Sequence, residues 1–114
     1  MRRRARCRSV VAMTASATLS RTYLVECYQP GIERAEVELA TDRALAASAE
    51  LRDEGRKVEY VGAILVPGDE VVFHIFAAES AATVREASMR ASVTYERVVE
   101  SFPIGRIQLR HEDA

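Results

Sequence analysis

Two β-favouring runs folded about one tight turn constrain this chain more than anything else in it. Lys57-Val58-Glu59-Tyr60-Val61-Gly62-Ala63-Ile64-Leu65-Val66 leads into Pro67-Gly68-Asp69, and Glu70-Val71-Val72-Phe73-His74-Ile75-Phe76-Ala77 leads out. Proline presets one turn angle, glycine frees another, and the flanking runs are rich in β-branched and aromatic side chains. Such runs pair as an antiparallel hairpin, which needs further elements to cover it.

Those elements are present on both sides. Thr22-Tyr23-Leu24-Val25-Glu26-Cys27-Tyr28 is a short strand pattern stopped by Pro30-Gly31. A helix is predicted from Glu33 to Glu54, with Val37, Ala40, Ala44, Ala47 and Leu51 on one stripe and Leu45 and Ala49 widening it. Glu33, Glu36 and Glu38 suit its positive N-terminal end, and Gly55 suits a left-handed stop. Ser80 offers an N-cap to a second helix carrying Ala81, Val84, Ala87 or Ser88, and Ala91. Glu96-Arg97-Val98-Val99-Glu100-Ser101-Phe102 is the fourth strand, stopped by Pro103 and Gly105. Ile107-Gln108-Leu109 alternates, which fits a short edge strand or pairing with a second subunit. The order strand, helix, strand, strand, helix, strand predicts an α+β, ferredoxin-like domain: a four-stranded antiparallel sheet with two helices on one face.

A chain of 114 residues is one domain by size. The expected organisation is a disordered arm over residues 1–20, the folded domain over 21–109, and a frayed tail over 110–114. Arg2, Arg3, Arg4, Arg6 and Arg8 crowd the start; taking these five from the net charge of −1 leaves the rest near −6. A mildly acidic domain does not suit a phosphate backbone, so no nucleic-acid partner is expected. The apolar part of a signal peptide would be broken by Ser9, Thr14, Ser16, Thr18 and Ser20, and Met13 is an alternative start. No stretch approaches the roughly 20 apolar residues of a membrane span. Cys7 and Cys27 make no disulfide framework, and the expected location is cytoplasmic. Lys57 is the only lysine, and the wealth of Arg, Ala and Val suggests a high-GC bacterial source.

Alternation assigns the strand faces. Tyr23, Val25 and Cys27, then Val61, Ala63 and Leu65, then Phe73, Ile75 and Ala77, with Val99, are expected under the helices. The opposite face then carries Leu24, Glu26, Tyr28, Val58, Tyr60, Ile64, Val72, His74, Phe76, Val98, Glu100 and Phe102. That face is too apolar for water, so a homodimer of the α+β-barrel kind is expected to bury it. A one-residue slip in the hairpin would reverse the faces.

On that assignment Glu26, Tyr60, His74 and Glu100 project between the two sheets, with Phe76 and Phe102 as apolar lining. Carboxylates with an imidazole suit a divalent transition metal held by His74, Glu26 and Glu100, or an acid–base pair around an organic ligand. The bland alternative is a hydrogen-bonded interior histidine and two glutamates paired with Arg97 or Arg106. His111 sits in a charged tail and reads as solvated. The sequence holds no Cys-x-x-Cys, His-x-x-x-His, glycine-rich phosphate loop or nucleophile elbow. Tyr60, Tyr95, Phe73 and Phe76 invite an RNA-stacking sheet, but Asp69 and Glu70 stand where basic residues would frame one.

From Thr22 to about Arg106 the chain resembles a family of small actinobacterial ferredoxin-like proteins, a domain-of-unknown-function family that includes nickel-binding members. The stretches that carry the likeness are Tyr23-Leu24-Val25-Glu26 with Tyr28 and Pro30-Gly31, Val58-Glu59-Tyr60-Val61, Asp69-Glu70 with Val72-Phe73, and Phe76-Ala77-Ala78 with Ser80. Val84-Arg85-Glu86-Ala87 with Arg90-Ala91, and Arg97-Val98-Val99-Glu100, complete it. The resemblance implies a dimeric α+β barrel and, in some relatives, nickel binding, with Glu26 and Glu100 at family positions. Relatives often carry a histidine after the Arg-Glu pair, where this chain has Ala87.

The resulting expectation is a homodimeric accessory protein, not catalytic itself, that binds a small ligand or a divalent metal such as nickel. Two alternatives stand beside it. One is a small α+β-barrel enzyme, monooxygenase-like or isomerase-like, with His74 or Glu26 as base and Tyr60 orienting an enclosed organic substrate. The other is a pure dimerisation module.

Overall fold

The computed structural model describes residues 20–107. The expected arm, the domain's C-terminal limit, the tail, Cys7, His111 and most of the expected edge strand lie outside the described residues. Within them the order is β1 (Arg21–Tyr28), α1 (Arg34–Asp53), β2 (Val58–Val66), a 3-10 turn (Pro67–Asp69), β3 (Val71–Ala78), α2 (Ala81–Arg90) and β4 (Arg97–Ser101). The strands form one antiparallel sheet in the order β2-β3-β1-β4. This is the ferredoxin-like α+β arrangement that the element order predicts.

Local chemistry fixes the helix ends. The Glu36 carboxylate accepts the Glu33 N–H at 2.9 Å, satisfying a donor that the first turn of α1 leaves over. At the other end Gly55 adopts φ 89°, its N–H bonds the Arg52 carbonyl, and the Arg56 N–H reaches back to the Leu51 carbonyl at 2.9 Å. This pair of bonds closes the last turn around a left-handed residue. Helix α2 starts on Ser80, whose hydroxyl accepts the Thr83 N–H. It ends in the same way as α1, with Ser92 at φ 58° and Val93 bonded to Ser88.

Small residues let the helices lie close. Ala44, Ala47, Ser48 and Leu51 of α1 are buried, as are Val84, Ala87 and Ser88 of α2, and Ala91 just after it. Leu45 is 42% exposed and Ala49 is exposed, so the stripe is narrower than expected and turns toward Ser48 instead. The Ser48 and Ser88 hydroxyls are both buried without a hydrogen-bond partner among the described residues. An unmade bond of this kind costs about 1–3 kcal/mol, so Ser48→Ala or Ser88→Ala should raise stability by roughly 1 kcal/mol. A urea midpoint that moves down in both variants would contradict this.

The strand faces differ from expectation in an informative way. Tyr23, Val25 and Cys27 lie under the helices as expected. They pair with Phe76, His74 and Val72, so these three β3 side chains share the buried face, and Phe73, Ile75 and Ala77 take the open one. Tyr23 and Val25 also face Glu100 and Val98, which sends Val99 to the open face. In β2 the register slips between Tyr60 and Gly62. Val58 and Tyr60 are therefore buried, Val61 falls in the bulge, and Ala63 and Leu65 still pack on the core as expected. A bulge adds one residue to one strand and reverses alternation beyond it.

Candidate functional site

The reversed parity dismantles one constellation and builds another. Glu26 lies on the open face, where its carboxylate accepts from Arg97 Nε across the strand pair at 2.6 Å. Glu100 is exposed on the other side of the sheet and faces Arg21 at 3.7 Å. Phe102 lies beyond β4 and is 74% exposed. Among the described residues no group of three His, Cys, Asp or Glu side chains could hold a metal ion. Glu26, His74 and Glu100 do not meet within the protomer. These three side chains therefore make no metal site within one protomer.

Tyr60, His74 and Phe76 do come together, on the helix side of the sheet. Tyr60 packs edge-on to Phe76 with ring centroids 5.1 Å apart and lies 5.7 Å from the His74 ring. The Tyr60 hydroxyl is 2.8 Å from His74 Nδ1 and 3.3 Å from the Thr41 hydroxyl, which donates to the Val37 carbonyl at 3.0 Å. Assigning one proton to each contact orders the relay. Thr41 donates to Val37, and on that assignment Tyr60 donates to Thr41 and accepts from His74 Nδ1–H. His74 Nε2 then keeps its lone pair. It has no hydrogen-bond partner among the described residues.

Electrostatics agrees with a neutral ring. Burial, reinforced by the Arg43 cation, pulls the His74 pKa down to about 4. Burial also pushes the Tyr60 phenol up, so its proton is retained at neutral pH.

The His74 ring borders a cavity of about 410 Å³ between the sheet, the first half of α1 and the segment after α2. Ile32, Val37, Val72 and Val93 give it apolar walls, and Arg43, Glu36 and Cys27 also line it. Arg43 is anchored through Nε to the Ala91 carbonyl at 2.7 Å, next to the left-handed Ser92. Burial pushes the Cys27 thiol up to about 11, with Glu96 and Glu26 adding to the rise. A protonated thiol is a poor nucleophile. Iodoacetamide at pH 8 should therefore leave Cys27 unmodified in the native protein and label it fully in urea, as peptide mass spectrometry would show. Fast native labelling of the Cys27 peptide would place the thiol elsewhere.

No family model matches the chain, and no curated protein matches it. The fold is shared with a solved structure. That structure, "Crystal structure analysis of SCO4226 from Streptomyces coelicolor A3(2)", superposes with a TM-score of 0.61 at 18% sequence identity. The match covers 74% of this chain and 98% of the Streptomyces chain. At that identity the likeness establishes the ferredoxin-like fold alone.

Sequence reasoning found His74 and Tyr60 but placed them between sheets. It missed Arg43, which lies three residues beyond Ala40 on the flank of the apolar stripe. A cation beside an alanine stripe is a faint signal, because most such arginines simply face water. A second depression on the far flank of α1, lined by Ile32, Thr41, Ala63 and Leu65, holds Arg34 and Glu38 already paired at 3.1 Å. It presents no buried polar group comparable with His74.

Proposed function

We propose that this chain is a cytoplasmic, homodimeric accessory protein that binds a small organic ligand in the His74 cleft and performs no chemistry on it. One observation carries the reading: a buried, neutral imidazole is fixed through one nitrogen while its ring borders a cavity with apolar walls. Ligand sites commonly combine apolar walls with a few oriented polar groups, in volumes of about 300–1,000 Å³.

Absence of chemistry is supported by the same groups. A base poised near neutrality is the effective one, whereas burial and the Arg43 cation hold the His74 pKa down to about 4. Glu26, the alternative base, is on the opposite face and engaged by Arg97. Nickel is not part of the proposal, because its donors do not converge. No helix among the described residues is long and apolar enough to cross a membrane. Dimerisation is supported by the open face, where Leu24, Phe73, Ile75 and Val99 are only half-buried in the protomer and Ile64 is 53% exposed.

The ligand reading is tested with neutral probes, indole and phenol, followed through the methyl resonances of Val37, Val72 and Val93. Both should perturb these methyls at millimolar concentration, and Ala40→Phe, which fills the cleft, should abolish the effect. Methyls that stay unmoved in wild type would leave only the dimerisation module.

A further inference from the structure

We infer that the His74 cleft takes a small organic monocarboxylate whose apolar body also bears a hydrogen-bond donor such as a hydroxyl. This rests on the ligand-binding reading above and gives it a chemical class.

The anionic end follows from Arg43. Arg21, Arg34, Arg56, Arg90 and Arg97 each stand within salt-bridge distance of a glutamate. Arg43, like Arg52, Arg85 and Arg106, has no carboxylate within that reach among the described residues, but of these four it is the one that lines the cavity, tethered by Nε to the Ala91 carbonyl. The tether uses one of five guanidinium N–H groups and leaves four. A pre-positioned guanidinium is suited to a planar carboxylate, which it can meet with two parallel hydrogen bonds.

The donor end follows from His74. With Nδ1 held by Tyr60, the nitrogen left over is Nε2, a lone-pair acceptor on a ring that is 3% exposed and borders the same cavity. Among the described residues only the Ser48 and Ser88 hydroxyls are fully buried without a partner, so Nε2 is reached by solvent, and an O–H or N–H on the ligand would take the place of water there. Ile32, Val37, Val72 and Val93 line the same cavity and call for an apolar body.

Net charge is limited by Glu36. It is the one carboxylate in the lining among the described residues, and its Oε1 is turned back to the Glu33 N–H. Its charge still opposes a second anionic group, so a monoanion is preferred over a phosphate or a dicarboxylate.

The test uses the full chain at pH 7 with 4-hydroxybenzoate, benzoate and phenol, read by the Val37, Val72 and Val93 methyls and by the His74 ¹⁵N resonances. 4-Hydroxybenzoate should bind best and shift the Nε2 signal. Benzoate, lacking the hydroxyl, should bind on the order of fivefold more weakly and leave that signal in place, a factor set by one neutral hydrogen bond. Arg43→Gln should weaken both carboxylates by on the order of tenfold, as loss of a charge-assisted bond does, and leave phenol unchanged. His74→Phe should erase the preference for 4-hydroxybenzoate over benzoate. Equal carboxylate binding by Arg43→Gln and wild type would overturn the inference. So would phenol binding as tightly as 4-hydroxybenzoate, or a cleft that answers to no carboxylate. If indole and phenol still perturb the cleft in that last case, the ligand-binding reading stands and only the carboxylate assignment falls.

Discussion

Lowering the pH from 7 to 4.5 should cost this protein about 2 kcal/mol of folding stability through His74 alone. The folded pKa lies near 4 against an ordinary value of 6.5. Between those two values the unfolded chain binds a proton that the folded one refuses. Stability therefore rises with pH through that window and is lost as pH falls from 6.5 toward 4, to a total of about 3 kcal/mol. Tyr60 from β2, Cys27 and Tyr28 from β1, and Arg43 and Glu36 from α1 are the titratable or charged groups around the ring or its cleft among the described residues. Of these, Tyr60 and Cys27 stay neutral across the window, because burial raises both. Glu54 and Glu79 add acid sensitivity of their own, because bonds from Arg90 to Glu54 and from Thr83 and Arg56 to Glu79 hold their pKa values below the ordinary value. The contribution of His74 is isolated by comparison with His74→Phe, whose absolute stability is irrelevant to the slope. Urea unfolding at pH 7, 6, 5 and 4.5 should give a shallower pH dependence in the variant, by about 2 kcal/mol over the range. Parallel curves for the two proteins would mean that the ring is not buried neutral, and the relay through Tyr60 would fail with it.

His74 also marks where the sequence ceased to be readable. Caps and turns are local chemistry, so Ser80, Gly55 and Pro67-Gly68-Asp69 announced their elements, and the sheet order followed from topology. Strand parity in β3 was not local. Val71, Phe73 and Ile75 on one face match Val72, Phe76 and Ala78 on the other in apolar character, and the lone polar residue pointed the wrong way. Imidazole is amphipathic, and a phenol partner makes it an interior residue. The partner was legible in principle, because Glu59 between Val58 and Tyr60 marks the outer face of β2 and turns Tyr60 inward. The bulge at Val61–Gly62 concealed this by letting Ala63 and Leu65 obey the opposite parity. Arg43 could not be found at all without knowing which flank of α1 overhangs the end of α2.

The corrected parity changes which residues would join two protomers in the proposed dimer without removing the reason to join. Cross-strand pairing aligns Val99, Leu24, Ile75 and Gly62 in one row of the open face, and Arg97, Glu26, Phe73 and Ile64 in the next. Ile75 sits near the middle of this patch, flanked by Leu24, with Phe73 two residues away on the same strand. Wild type should sediment as a dimer at micromolar concentration. Ile75→Asp should weaken it on the order of a thousandfold, because a two-fold interface meets the substitution twice and each buried carboxylate loses its water. The Glu26–Arg97 pair at the edge of the patch serves as the control. An exposed rim pair is worth roughly 1 kcal/mol or less, so Arg97→Ala should leave the dimer largely intact. The His74 cleft lies on the other side of the sheet, so Ile75→Asp should keep its ligand response while running as a monomer. A wild-type monomer at these concentrations would remove the dimer and leave the cleft. A variant that loses both together would instead show that the open face and the His74 side depend on one another for folding.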